Sequence, residues 1–145
     1  MKKNKTKLKS ELIAPCGMNC GLCKAYMGFA LDMTKDQRKK HGVGQCSGCR
    51  ARGKMCAFLK RDCFSLKNNK IKFCHQCKKM PCQNLIRLDK SYKEKYQYSF
   101  VSNQEQIKKQ GIKRFLASQE RKYRCPKCGG LICIHDKKCY YCRVR

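Results

Sequence analysis

Fifteen cysteines in 145 residues, most of them in short C-x2-C or C-x3-C steps, constrain this chain more than any other feature. They run Cys16-x3-Cys20-x2-Cys23, Cys46-x2-Cys49, Cys56, Cys63, Cys74-x2-Cys77-x4-Cys82, then Cys125-x2-Cys128, Cys133 and Cys139-x2-Cys142. A C-x2-C step forms a tight knuckle whose two sulfurs converge on one ion, so the spacing points to metal. The remaining composition says why a staple is needed. There is no Trp, charged residues are 31% of the chain and mean hydropathy is -0.73, leaving little apolar surface to bury. Small domains of this kind are commonly held by disulfides or by structural metals.

The compartment expected for the chain favours metal. Met1–Ser10 reads MKKNKTKLKS, and Leu12-Ile13-Ala14 runs at once into Pro15-Cys16, so the apolar stretch of a secretory signal is missing. No stretch approaches the apolar length of a membrane span. A cytoplasmic, reduced chain is expected, with no membrane association, and in such a chain paired cysteines are metal ligands. The odd cysteine count also disfavours a closed disulfide framework.

The organisation expected is a small α+β protein. Residues 1–10 read as a disordered basic tail, 11–82 as an irregular cysteine-rich metal-stapled region, 83–122 as a helical spacer and 123–145 as a zinc-ribbon-like segment. In the spacer, Leu85, Leu88, Tyr92 and Tyr96 fall on one helical face. Ser102-Asn103-Gln104-Glu105 reads as a capping box opening a second helix that Gly111 ends. Ile112–Glu120 offers Phe115 and Leu116 to the same core. Tyr92, Tyr96 and Tyr98 have the spacing of core residues more than of a base-stacking platform.

The strongest metal signal is C-terminal. Cys125, Cys128, Cys139 and Cys142 form C-x2-C-x10-C-x2-C, the pattern of a four-cysteine zinc ribbon. Between the knuckles, Leu131, Cys133 and His135 would share a face of a short strand, and Cys133 or His135 is a substitute ligand only in principle. Ten further thiols lie upstream. One pairing sets Cys46 and Cys49 against Cys74 and Cys77, which leaves Cys16, Cys20, Cys23 and Cys82 for a second site. A sequential set of Cys46, Cys49, Cys56 and Cys63 is nearly as well supported. The expected cofactor is zinc, two or three ions. The alternative is an iron–sulfur cluster on the N-terminal cysteines, since thiolates serve both metals.

Other chemistries find no support. Cys16-x3-Cys20-x2-Cys23 matches the spacing of a radical S-adenosylmethionine cluster, but no βα alternation follows it. The nine acidic residues form no close pair, and no phosphate loop or nucleophile elbow is present, so no catalytic residue is assigned. Lys and Arg total 36 against nine acids, a formal charge of +27, which three zinc sites of four thiolates each would lower to about +21. That charge predicts salt-dependent, non-specific binding to nucleic acid or other polyanions. With 26 Lys to 10 Arg it does not predict base recognition.

The segment Leu12-Ile13-Ala14-Pro15-Cys16-Gly17-Met18-Asn19-Cys20-Gly21-Leu22-Cys23-Lys24-Ala25-Tyr26 carries a resemblance. With Cys46-Ser47-Gly48-Cys49 and Phe73-Cys74-x2-Cys77-x3-Pro81-Cys82, it resembles the domain-of-unknown-function 3795 family of bacteria and archaea. The C-terminal knuckles resemble members of that family that end in a ribbon, so the resemblance spans most of residues 11–142. It implies a small cytosolic metal-binding protein and supplies no catalytic residues. The role expected is a binding or adaptor module for a protein partner, its metal sites structural. A nucleic-acid-binding zinc protein and an iron–sulfur electron-transfer protein are the alternatives.

Overall fold

The structure, a computed structural model, describes residues 7–53 and 63–143. Its helices there are α1 (Lys24–Ala30), α2 (Lys35–His41), α3 (Cys49–Arg52), α4 (Phe64–Lys67), α5 (Gln83–Tyr96), α6 (Phe100–Gln110), α7 (Ile112–Tyr123) and α8 (Tyr140–Arg143). Single 3-10 turns occupy Ser10–Leu12, Cys20–Leu22 and Cys74–Gln76. Cys56 and the first six residues lie outside the described residues.

The three long helices are α5, α6 and α7. In α5, Leu85 is fully buried while Leu88, Tyr92 and Tyr96 pack against the main core from one face. Tyr92 also meets Phe100 of α6 edge-on, ring centroids 4.7 Å apart. Tyr98 is buried, and Tyr92 and Tyr96 are partly buried against the same core. The cap of α6 is Ser99, three residues before the one the sequence pattern suggests: its side chain accepts from the Ser102 N–H at 3.1 Å. The reason is Asp89, buried on α5, whose Oδ1 accepts from the Ser99 hydroxyl at 2.8 Å and the Val101 N–H at 3.1 Å. Asp89 thereby fixes where α6 starts. Gly111 ends α6 and opens α7. Phe115 of α7 packs with Ile13 and Ile107 in a small cluster of its own, and Leu116 touches both cores.

The β part of the expected α+β fold is reduced, among the described residues, to two isolated bridges, Ile13 with Asn19 and Arg124 with Leu131. The strand expected over Leu131, Cys133 and His135 does not form because its backbone groups are used elsewhere. Ile132 N–H donates to Tyr123, Cys133 N–H to Lys138 and Ile134 N–H to Leu22, at 2.8, 2.9 and 3.1 Å. The described residues are therefore mostly helical, with almost no strand. The end of the expected tail also belongs to the fold: Leu8 is buried, and its N–H donates to Glu120 Oε1 at 2.7 Å. No helix of the described residues is long and apolar enough to cross a membrane.

Candidate metal centres

The C-terminal centre starts at the end of α7. Arg124 enters the loop held by Glu120 at 3.3 Å and by its own bond to the Gly129 carbonyl at 2.8 Å. Cys125 N–H then donates to the Gly130 carbonyl (2.7 Å) and Gly129 N–H to the Cys125 carbonyl (2.9 Å), closing a turn that brings Cys125 and Cys128 together. Gly130 is needed because a Cβ there would stand 2.6 Å from Cβ of Tyr141. The second pair straddles the first turn of α8, so Cys139 and Cys142 return to the same side. Cys125 Sγ lies 3.6 Å from Cys142 Sγ, and Cys128 Sγ 3.6 Å from Cys139 Sγ. All four sulfurs fall within 4.8 Å of one another.

These distances suit a metal ion better than a disulfide. A disulfide would bring the sulfurs to about 2 Å. Four thiolates on one tetrahedral ion, at a metal–sulfur distance of about 2.3 Å, stand about 3.8 Å apart, close to the observed spacing. Burial opposes ionisation of Cys125, but the N–H groups of Cys128 and Lys127 and the neighbouring thiols outweigh it and bring it down to about 7. Cys139 is pushed up, by burial first, and Cys142 by its contact with Cys128. Four thiols at this spacing cannot all ionise without a cation among them. Gly130 N–H donates to Cys128 Sγ at 3.3 Å, a contact that favours the thiolate.

The two residues considered as substitute ligands are used otherwise. Cys133 is fully buried in the core, and burial raises its thiol to about 11. His135 accepts the Lys24 N–H at Nδ1 (3.2 Å) and faces the Tyr92 hydroxyl at Nε2 (3.3 Å). With Nδ1 accepting, the proton of the neutral ring belongs on Nε2. Burial holds the ring below its usual range, so it is a neutral packing residue tying α1 to α5.

The N-terminal thiols fall into two groups. Cys16, Cys20, Cys23, Cys46 and Cys49 line one cavity of about 50 Å³ with Met18, Tyr26, Leu88, Tyr92 and Phe100. Cys74 has Cys82, Cys63 and Cys77 as neighbours; burial, and then those thiols, push it up to about 12. Cys46 and Cys49 thus stand with Cys16, Cys20 and Cys23, while Cys74 and Cys77 stand with Cys63 and Cys82. Cys16, whose ionisation burial opposes most, has Cys74 and Cys49 as neighbours and lies between the groups. Among the described residues, only the C-terminal four bring three or more ligand atoms within 4.8 Å.

Buried amides place the first loop. Gln104 donates to the Pro15 carbonyl at 2.8 Å and accepts the His75 N–H at 2.9 Å, while Asn103 donates to the Gly17 carbonyl at 2.9 Å. Cys74 N–H also donates to Pro15, at 2.9 Å. The loops carrying Cys16 and Cys74 are therefore pinned to α6 and to each other. Nothing in the spacing of Asn103 and Gln104 signals this role; the only sign is two amides on an otherwise apolar helix face.

Fold and site together define a small, mostly helical, cysteine-rich protein with a four-sulfur cluster able to bind metal. The family model described as Protein of unknown function (DUF3795) matches residues 12–87. That is more than half of the chain, which belongs to this family. The match ends within α5, so the C-terminal cluster stands outside it, and the ribbon rests on its four cysteines alone. No curated protein and no solved structure matches.

Proposed function

We propose that the chain is a binding module held in shape by metal, with zinc on Cys125, Cys128, Cys139 and Cys142. The observation that carries this reading is the convergence of four sulfurs within 4.8 Å, with pairs 3.6 Å apart. Four cysteine ligands fill every position of a tetrahedral zinc and leave none for a substrate, so the ion is structural. The site also lies where a clamp is useful: Tyr140 and Tyr141 beside it are buried in the main core, and Gly130 is in close contact with Tyr141. Filling the site locks α7, α8 and the loop between them. Among the described residues Phe29, Phe64 and Ile86 are large apolar side chains left exposed, which a protein partner would cover.

The test is the zinc content of the full chain and of the Cys125→Ser/Cys142→Ser protein. One zinc per chain lost in the variant is the expected result. Equal zinc in both proteins contradicts the assignment.

A further inference from the structure

We propose that the cavity ringed by the N-terminal thiols holds an iron–sulfur cluster, ligated by the pairs Cys20/Cys23 and Cys46/Cys49. This is a second centre, independent of the C-terminal zinc. Its first support is size. One ion draws four sulfurs to about 3.8 Å, and the C-terminal quartet already has that spacing. The N-terminal cysteines do not: no three of those described have sulfurs within 4.8 Å, yet five of them surround one cavity of about 50 Å³. A single ion cannot reach sulfurs spread around such a space. A cluster can, because each thiolate binds a different corner or edge of the inorganic core.

The lining supplies a second argument. Besides the five thiols it offers Met18, Tyr26, Leu88, Tyr92 and Phe100, with no carboxylate and no imidazole. Five thiols are a soft donor set that suits iron–sulfur or zinc over hard cations. Tyr92 of α5 and Phe100 of α6 give the space an aromatic wall, and a hydrophobic surround of that kind tunes a cluster's potential.

Hydrogen bonding to the sulfurs is the third. Cys46 Sγ accepts from the Gly48 N–H and from the Arg52 guanidinium, both at 3.4 Å. Cys20 Sγ accepts from the Cys49 N–H at 3.5 Å, which ties the two pairs together. The Gly48 contact repeats, two residues past the cysteine, the one Gly130 makes to Cys128. Donors on sulfur and a nearby guanidinium offset the negative charge that four thiolates bring to a cluster. Cys16 lines the cavity but stands toward Cys74, and is assigned as the fifth, non-ligating thiol.

The experiment uses the full chain, purified without oxygen and then reconstituted with ferric iron, sulfide and a thiol reductant, so that the iron starts oxidised and the thiol supplies any electrons a mixed-valence core needs. Iron, acid-labile sulfide, zinc and the visible spectrum are measured. The expected wild-type protein is brown, with iron and sulfide in equal amounts alongside one zinc. Cys20→Ser/Cys46→Ser loses the iron and sulfide and keeps the zinc, which also reports that it has folded. Cys125→Ser/Cys142→Ser does the reverse, so failure of either centre is separately visible. Cys16→Ala keeps the iron. A wild-type protein that holds only zinc after reconstitution overturns the proposal. So does iron retained without Cys20 and Cys46, or iron lost with Cys16 alone.

Discussion

At the scale of single residues, Gly130 shows how tightly the C-terminal loop is packed. A Cβ at this position would stand 2.6 Å from Cβ of Tyr141, which is backbone-fixed and cannot swing aside. Gly130→Ala is expected to cost about 1–3 kcal/mol, the range for overpacking a filled site, and to weaken zinc binding in proportion. A thermal melt with a zinc titration checks both, and an unchanged midpoint would contradict the packing described. Acid should act on the same centre. Protons compete with zinc for thiolates, so the ion is held above neutrality and released as the pH falls. A chelating dye followed from about pH 8 to about pH 4 reads the release; zinc retained throughout would exclude a thiolate site.

At the scale of elements, the connection from α5 to α6 depends on Asp89. It accepts from Ser99 and Val101 and has Lys93 at 3.3 Å, all while nearly buried. Asp89→Ala leaves the Val101 N–H without that acceptor and frees the capping serine, for an expected loss of about 1–3 kcal/mol. Chemical denaturation measures it, and Ser99→Ala should cost less, about 1 kcal/mol. This connection also shows what a sequence can disclose. The helices of the spacer were legible because Leu85, Leu88, Tyr92 and Tyr96 repeat with helical period. The start of α6 was not, because the pattern Ser102 to Glu105 has the form of a cap while the working cap is set by a carboxylate ten residues before Ser99. The missing strand at Leu131 has a similar cause: alternation was present, but its backbone donors found partners in other segments.

At the scale of the whole molecule, the C-terminal cluster was legible because both of its pairs and the loop between them lie in one short stretch. The N-terminal arrangement was not. Ten thiols admit many partnerships, and only folding shows that the Pro15 loop, pinned by Gln104, stands between the Cys46 and Cys74 segments. The charge acts at this scale too. A chain of formal charge +27 is expected to bind heparin and any oligonucleotide alike, its affinity falling with a log–log salt slope of roughly −0.9 for each duplex phosphate neutralised. Fluorescence anisotropy on two unrelated sequences reads this; a strong preference for one would mean specific recognition instead.

Dependence of the fold on bound metal, more than on apolar burial, is the expectation for the whole molecule. It is tested most directly by far-ultraviolet circular dichroism of the anaerobically purified full chain, heated with and without a strong thiol-compatible chelator. Ligation energy is folding energy in a domain of this kind, so removing metal should lower the helical signal and abolish the cooperative melt. Returning zinc, or iron with sulfide, should restore them in steps. A chelated protein confirmed free of metal, with unchanged helicity and an unchanged melting midpoint, would contradict the account.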